Sequence, residues 1–541
     1  MKKQKKGIID FENARNMKRD VLVSTFIPTD SFYELFTDKN HVIIGSRGSG
    51  KTALVKMLSH DYLSQLFKER PGIVDEEVTK NFIGIYVATK SEWVSTLKNK
   101  PWEDENDKEN FFQWRLNIAT CLSLLKTLRS CIDEYIKDEI SRIRKERSIV
   151  ESLSQAWLDT ENVFSIVELM HRIEDIEYEK NQDLTRQRIE GDVFKSQSKI
   201  GVKFEAELFS TLKRGIKLIK RKLPIVESST WMLCIDETEF LNESYHRILN
   251  SYMRSDSDDL TFKLTTTPYR HYTLATNSGA PIRVGHDFNY LYIDRKKSEK
   301  EREKFVKKLF NNVTSSLGDK YSEITLDRLL GDSYLLESKS NDWDEDSNEM
   351  MLLKEYGTKA LINRAEKLYK EDNLRFRNEI ARKVHGLLKL KKAVDQDKGH
   401  KNLEVYSGVK MFVRGSDGNP RRIIRLLNEF FSRYDDSNAA SGDSPIIPKS
   451  VQTDIYIAFS ADILQRTRSE LGCGRKLHKF LNTFGEFLNN HLHNKKFTGD
   501  VYSAFEYEDD VLPEFWEVIQ SAVEWGLLFP LVNRNNPNLL P

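Results

Sequence analysis

His41-Val42-Ile43-Ile44-Gly45-Ser46-Arg47-Gly48-Ser49-Gly50-Lys51-Thr52-Ala53-Leu54-Val55-Lys56-Met57-Leu58 decides the fold of this chain. The short β-branched run 41–44 predicts a strand, the glycine-rich stretch a loop, and the residues from Thr52 onward a helix. Residues 45–52 match the pattern G-x-x-x-x-G-K-[ST] in full, and the strand before and helix after supply the context that pattern needs. Each residue type has a chemical reason. Gly45, Gly48 and Gly50 let the backbone curl, so that the N–H groups of Ser46, Arg47 and Ser49 and their neighbours point at phosphate oxygens. The following helix offers its positive end to the same anion. Lys51 brings a charge to the β- and γ-phosphates, and Thr52 a hydroxyl to Mg2+. The stretch predicts an ATP-binding loop.

A metal held on one side by Thr52 needs a carboxylate on the other, and a water must be aimed at the terminal phosphate. Trp231-Met232-Leu233-Cys234-Ile235-Asp236-Glu237 is an apolar strand ending in two acids. Asp236 is the expected metal ligand and Glu237 the expected base. Further strands are expected at Phe82–Ala88, Leu260–Thr266 and Tyr290–Ile293. Short apolar runs separated by helical stretches imply a parallel sheet with crossover helices. The strand before Thr265-Thr266-Thr267-Pro268 ends in hydroxyls suited to a terminal phosphate, with Thr266 the candidate. Gly418-Asn419-Pro420-Arg421 puts a basic residue at a helix start. Arg421 either reaches over the nucleotide, caps local structure or pairs with an acid.

The second and third strands are separated by far more chain than one crossover helix uses. Residues 108–150 and 162–190 read as helical. Val163, Ile166, Met170, Ile173 and Ile176 recur at helical spacing. The insertion, about 108–225, fits either a paired-helix arm or helices packed on the core. Ser298-Glu299-Lys300-Glu301 carries a capping-box pattern ahead of Phe305, Val306, Leu309 and Phe310. Polar stretches at 332–350, 395–402 and 435–444 read as linkers. The expected domains are a core over 1–330, a helical lid over 331–440 and a last domain over 441–541.

With these parts assembled, the chain resembles the AAA+ ATPases of the origin-recognition and replication-initiator type, in the bacterial branch found beside mobile elements and phage-defence genes. The resemblance rests on Phe11–Met17 and Thr25–Thr29 ahead of the loop, on the loop itself, on Ile235–Leu241, and on Gly418–Arg421 as a sensor-2 motif, with Thr266 as sensor 1. It implies an α/β, three-layer P-loop sheet of the additional-strand class, a helical lid and a C-terminal winged helix. Helices over 450–470, 474–493 and 511–526, with a wing strand from Gly526 to Leu531, would make that last domain. The resemblance further implies ATP hydrolysis, a homo-oligomer, and an arginine acting across subunits. Arg254, Arg270 and Arg295 all stand near suitable positions. DNA contacted through the last domain is the expected partner. A signalling or phage-defence scaffold, with an effector protein bound through the insertion, is the competing expectation.

Composition narrows the rest. Lys and Arg number 84 against 83 acids in 541 residues, a balance that excludes a uniformly basic nucleic-acid glove but allows a local basic face. Arg466, Arg468, Arg475, Lys476, Lys479, Lys495 and Lys496 in the last domain fit either such a face or an ordinary solvated surface. Cys121, Cys131, Cys234 and Cys473 lack any C-x-x-C pairing, which fits a reducing compartment. His491 and His493 lack metal spacing and read as a surface turn. With no apolar run of membrane length and no signal peptide behind the basic start, a cytoplasmic protein is expected.

Overall fold

The computed structural model describes residues 12–89, 93, 102, 104–160, 162–190, 201–255, 260–294, 298–317, 323–336, 343, 347–396, 403–433, 446–470, 472–493, 496–500, 505–506 and 512–530. They group into two compact units. One is drawn from Ala14–Gly45 and Gly50–Arg295, the other from Met1–Asn13, Ser46–Ser49 and Lys296–Leu540. The expected linker at 435–444, together with Phe11, Arg295 and Lys495, lies outside the described residues.

The first unit is built on five strands: β1 (His41–Ile44), β2 (Phe82–Ala88), β3 (Thr230–Asp236), β4 (Leu260–Thr266) and β5 (Asn289–Tyr292). All pair in parallel, in the order β2-β3-β4-β1-β5. The two strands that carry the loop and the acid pair, β1 and β3, therefore flank β4. Central parallel strands are covered on both faces, which is why β1 and β4 are buried at every position. β4 pays for this with Lys263, fully buried and held by the carbonyls of Thr37 and Lys39 at 3.0 and 2.6 Å. Burial pushes its pKa down to about 7.

The helix Lys51–Leu58 follows the loop and lies on the sheet. Gly84 in β2 makes that approach possible: a Cβ there would stand 2.0 Å from the Leu58 carbonyl oxygen. Any larger residue would push away the helix that begins at Lys51.

The insertion resolves into the helices Glu105–Tyr135, Glu139–Leu158, Ile166–Glu190 and Ser210–Lys222. The first two are one continuous helical reading in the sequence. They separate because Asp138 caps a new start, accepting from the Ser141 N–H at 2.8 Å. Val163, Ile166, Leu169 and Ile173 are buried in the same core as the sheet residues Ile83, Leu233 and Phe262, and Phe112 stacks on Tyr245. The apolar seam is thus consumed in packing on the core.

In the second unit, Ser298 and Glu301 close the expected capping box. The Glu301 carboxylate accepts the Ser298 N–H at 2.7 Å, and Ser298 Oγ accepts the Glu301 N–H at 3.2 Å. Val306, Leu309 and Phe310 of the following helix are buried. Helices Lys449–Thr467, Gly474–His493 and Pro513–Glu524 come last, and Cys473, Leu477, Val518 and Ala522 pack between the latter two. Of the expected winged helix the three helices are present, but the wing strand is not found among the described residues: 526–530 form a turn and an irregular stretch, and 531–541 lie outside them. His491 and His493 end a helix instead of forming a turn. Among the described residues no helix is long and apolar enough to cross a membrane.

Candidate functional site

The loop leaves β1 with the Gly45 N–H donated to the Thr266 carbonyl at 3.3 Å, which ties the loop's first residue to the end of β4. Gly48 and Gly50 take φ of 81° and 100°, the left-handed region open to glycine. Gly50 is the N-cap of the Lys51–Leu58 helix. Lys51 is buried, and its Nζ donates to the Gly45 carbonyl at 2.6 Å, so the loop closes on its own lysine. Thr52 is half-buried one residue further along the helix. Ser49 Oγ is buried without a hydrogen-bond partner.

Asp236 is the last residue of β3 and fully buried. Both carboxylate oxygens accept hydrogen bonds, Oδ1 from Thr265 Oγ1 at 2.5 Å and Oδ2 from the Tyr86 hydroxyl at 3.0 Å. Burial, and then that proximity, pushes the Tyr86 hydroxyl pKa far up. Glu237 sits at φ 63°, a conformation that costs a side-chain-bearing residue roughly 1–2 kcal/mol and persists only when neighbours enforce it. They do. Its N–H donates to Thr265 Oγ1 at 2.9 Å, and Thr89 Oγ1 donates to the carbonyls of Asp236 and Glu237 at 2.8 and 2.7 Å. Its carboxylate accepts from Arg15 Nη1 at 2.7 Å.

Glu239 ties the two halves together electrostatically. It is half-buried with Oε2 enclosed and without a hydrogen-bond partner, and burial pushes its pKa up to about 7; Lys51 pulls the other way, while Asp236 and Glu237 push it further up. One carboxyl thus feels both the loop lysine and the acid pair. Strand spacing agrees: β1 and β3 lie two strands apart, about 10 Å.

The middle of the loop, Ser46–Ser49, belongs to the second unit. The Arg47 N–H donates to the Glu524 carbonyl at 2.7 Å, and its guanidinium to both oxygens of Glu470. Asn419 caps the helix Pro420–Ser432 by accepting from the N–H groups of Arg421 and Arg422, and its Nδ2 donates to the Arg47 carbonyl at 3.0 Å. The Arg421 N–H also reaches the Gly48 carbonyl at 3.3 Å. Arg422, not singled out from sequence, donates to the carbonyls of Trp525 and Gly526.

The expected residues Gly45, Gly50, Lys51, Thr52, Asp236, Glu237 and Thr266 all belong to the sheet unit, at the ends of β1, β3 and β4. The hydroxyl on Asp236 is that of Thr265; Thr266 Oγ1 lies 3.4 Å from the Thr267 carbonyl. Arg15, Tyr86 and Thr89 escaped sequence reading because their partners are remote in the chain, and Thr265 was read only as one of several strand-end hydroxyls. The Asn-Pro pair at 419–420 was readable as a cap followed by a first-turn proline. Of the candidate trans-acting arginines, Arg254 donates to the Pro281 carbonyl and Arg270 to the Tyr272 hydroxyl. Among the described residues no His, Cys, Asp or Glu group forms a ready-made metal cluster. A family model described as ORC-CDC6-like matches residues 8–540. No curated protein matches the chain.

Proposed function

The chain belongs to the ORC-CDC6-like family, and from that premise we propose that it is a Mg2+-dependent ATPase that works as a nucleotide-gated switch. The observation that carries this reading is the buried Asp236, its oxygens fixed by Thr265 and Tyr86, at the end of a strand that only β4 separates from the strand entering the glycine loop. The site residues fit the ligand: the loop has two left-handed glycines, a buried hydroxyl without a partner at Ser49, and a lysine resting on a main-chain carbonyl it can exchange for phosphate.

In this reading the loop Gly45, Ser46, Arg47, Gly48, Ser49 and Gly50 cradles the phosphates; Gly45 anchors it to the Thr266 carbonyl, and the Arg47 N–H would exchange the Glu524 carbonyl for phosphate. Lys51 neutralises the terminal phosphates. Thr52 and Asp236 would hold the metal, which would neutralise charge on the phosphates. Glu237 takes a proton from the attacking water. Thr266 serves at the strand end beside Gly45, and Arg421 serves the phosphates held by Ser46–Ser49. Lys51→Ala should abolish ATP binding. Glu237→Gln should spare binding and lower turnover by about 10²–10⁴-fold. A wild type hydrolysing no faster than Glu237→Gln would remove the enzyme from this account.

The exposed Arg468, Arg475 and Lys479 support DNA as the partner of the last helices. A protein meeting several phosphates loses affinity steeply as salt rises, so filter binding across a salt series tests it. A flat response would favour an effector protein as partner instead. Mass measurement with and without ATP tests the homo-oligomer.

A further inference from the structure

We propose, resting on the ATPase reading above, that Glu470 and the helix end Glu524-Trp525-Gly526 form an autoinhibitory latch on the middle of the phosphate loop, which a triphosphate must displace in order to bind.

Three successive loop residues are covered from within the same unit. Ser46 lies under Gly526, where an added Cβ would stand 3.1 Å from Ser46 Oγ and 3.2 Å from Ser46 Cβ. Gly526 takes φ 66°, so the turn after the helix Pro513–Glu524 can approach this closely. The Arg47 N–H is donated to the Glu524 carbonyl at 2.7 Å, while its guanidinium forks onto Glu470. Gly48 faces Asn419 and Arg421, each nearer than 3 Å to a Cβ built there. The helix end is tied to these residues as well. Arg422 Nη2 donates to the carbonyls of Trp525 and Gly526 at 2.9 and 2.8 Å, and Asn419 Nδ2 to the Arg47 carbonyl at 3.0 Å.

The latch and a triphosphate draw on the same groups. An N–H held by a carbonyl reaches phosphate only after that bond opens, and a guanidinium forked on a carboxylate has its charge already matched. The Glu524 carboxylate adds a second negative charge 3.9 Å from the guanidinium. Both acids oppose an anion arriving at Ser46–Gly48. A triphosphate carries several charges against the one on Glu470 and suits the same fork. Once Arg47 turns to it, Glu470 and Glu524, 13% and 3% exposed, lose that cation. A largely buried carboxylate that loses its cation is unfavourable where it stands, so the helix end parts from the loop. Trp525, whose indole donates to Glu470 at 2.9 Å, leaves with it.

The test uses the full chain and ATP with Mg2+. Glu470→Gln keeps an oxygen for the Trp525 indole and removes the charge on Arg47. It should lower the Kd for ATP about 3–10-fold, because the loop is then uncovered in a larger fraction of molecules. Glu524→Gln should act in the same direction and more weakly, since its carboxylate stands farther from the guanidinium. Hydrogen exchange reads the latch without turnover. Saturating ATP should speed exchange across 513–528 in the wild type, and Glu470→Gln should show faster exchange there before ATP is added. Acids that only brace the fold, or that position Arg47 for phosphate, would leave the Kd unchanged or raise it when removed. That result, or exchange across 513–528 that ATP leaves alone or slows, overturns the latch. The two readings fail differently. ATP binding by the wild type with a Kd that Glu470→Gln does not lower sinks the latch alone. Absence of ATP binding in the wild type and Glu470→Gln alike sinks the ATPase reading and the latch with it.

Discussion

Arg47 and Glu470 form a two-point ion pair, with guanidinium nitrogens 2.7 and 2.9 Å from the two carboxylate oxygens and 423 positions between them. The Trp525 indole donates to the same carboxylate at 2.9 Å, and the Arg47 guanidinium lies 5.3 Å from the Trp525 ring centre. Glu524 stands 3.9 Å from the same guanidinium. Paired forks of this kind are stronger than neutral hydrogen bonds, although Arg47 is partly exposed and water weakens the attraction. Glu470→Ala should lower unfolding free energy by about 1–2 kcal/mol. Arg47→Ala should cost more, because it removes a cation shared by two carboxylates. Denaturant unfolding of both variants and their double mutant checks this; a coupling below about 0.3 kcal/mol would show the pair to be energetically idle.

Gly48 and Gly72 both adopt positive φ, 81° and 90°, but in different surroundings. A Cβ at Gly48 would stand 2.7 Å from Arg421 Cβ and 2.8 Å from Asn419 Oδ1, the oxygen that caps the Pro420–Ser432 helix. A Cβ at Gly72 would meet nothing within 4 Å. Gly72→Ala should therefore cost only backbone strain, about 1 kcal/mol. Gly48→Ala should cost that plus the disturbed cap, about 2–3 kcal/mol in all. Equal losses in thermal melts would mean that the Asn419–Gly48 contact has no energetic weight.

What the sequence revealed and what it hid follow from the range of each interaction. Strand, loop and helix around Lys51 are local, so the motif reads directly. β1 and β3 read because central parallel strands, covered on both faces, are continuous apolar runs. The insertion's seam from Val163 to Ile176 has one period whether it packs on the core or forms an arm; only the tertiary partners decide. Thr265 and Thr266 could not be told apart because β4 is buried at every position and shows no alternation. Arg15 was invisible as a partner of Glu237, since nothing in its neighbourhood of sequence names a residue so far away.

That distinction between adjacent threonines has a measurable consequence. Thr265 Oγ1 donates to Asp236 Oδ1 and accepts the Glu237 N–H, so it orients both acids. Outer-shell partners of metal ligands are typically worth about 10–100-fold in metal affinity or activity. Thr265→Ala should raise the Mg2+ concentration for half-maximal ATPase about tenfold, and Thr265→Ser should restore most of it. Thr266→Ala should leave the Mg2+ requirement in place. If the two alanine variants show the same Mg2+ dependence, Thr265 does not orient the metal carboxylate.

Glu239 should make stability depend on pH in a direction opposite to most carboxylates. Burial raises its folded pKa from the ordinary 4.5 to about 7. Between those values the folded chain keeps a proton that the unfolded chain has lost, so stability falls as pH rises through the window and stays low above it. Glu239→Gln cannot ionise and escapes the loss. At pH 8 the variant should exceed the wild type by about 3 kcal/mol, and at pH 5 by only about 1 kcal/mol. Because Lys51 favours the charged carboxyl, Lys51→Ala should deepen the wild-type loss and widen the gap to Glu239→Gln at pH 8. Unfolding curves at pH 5, 6, 7 and 8 measure both effects. A constant difference between wild type and Glu239→Gln across that range would mean that Glu239 is already ionised in the folded chain, with the acid pair and the loop lysine screened from it.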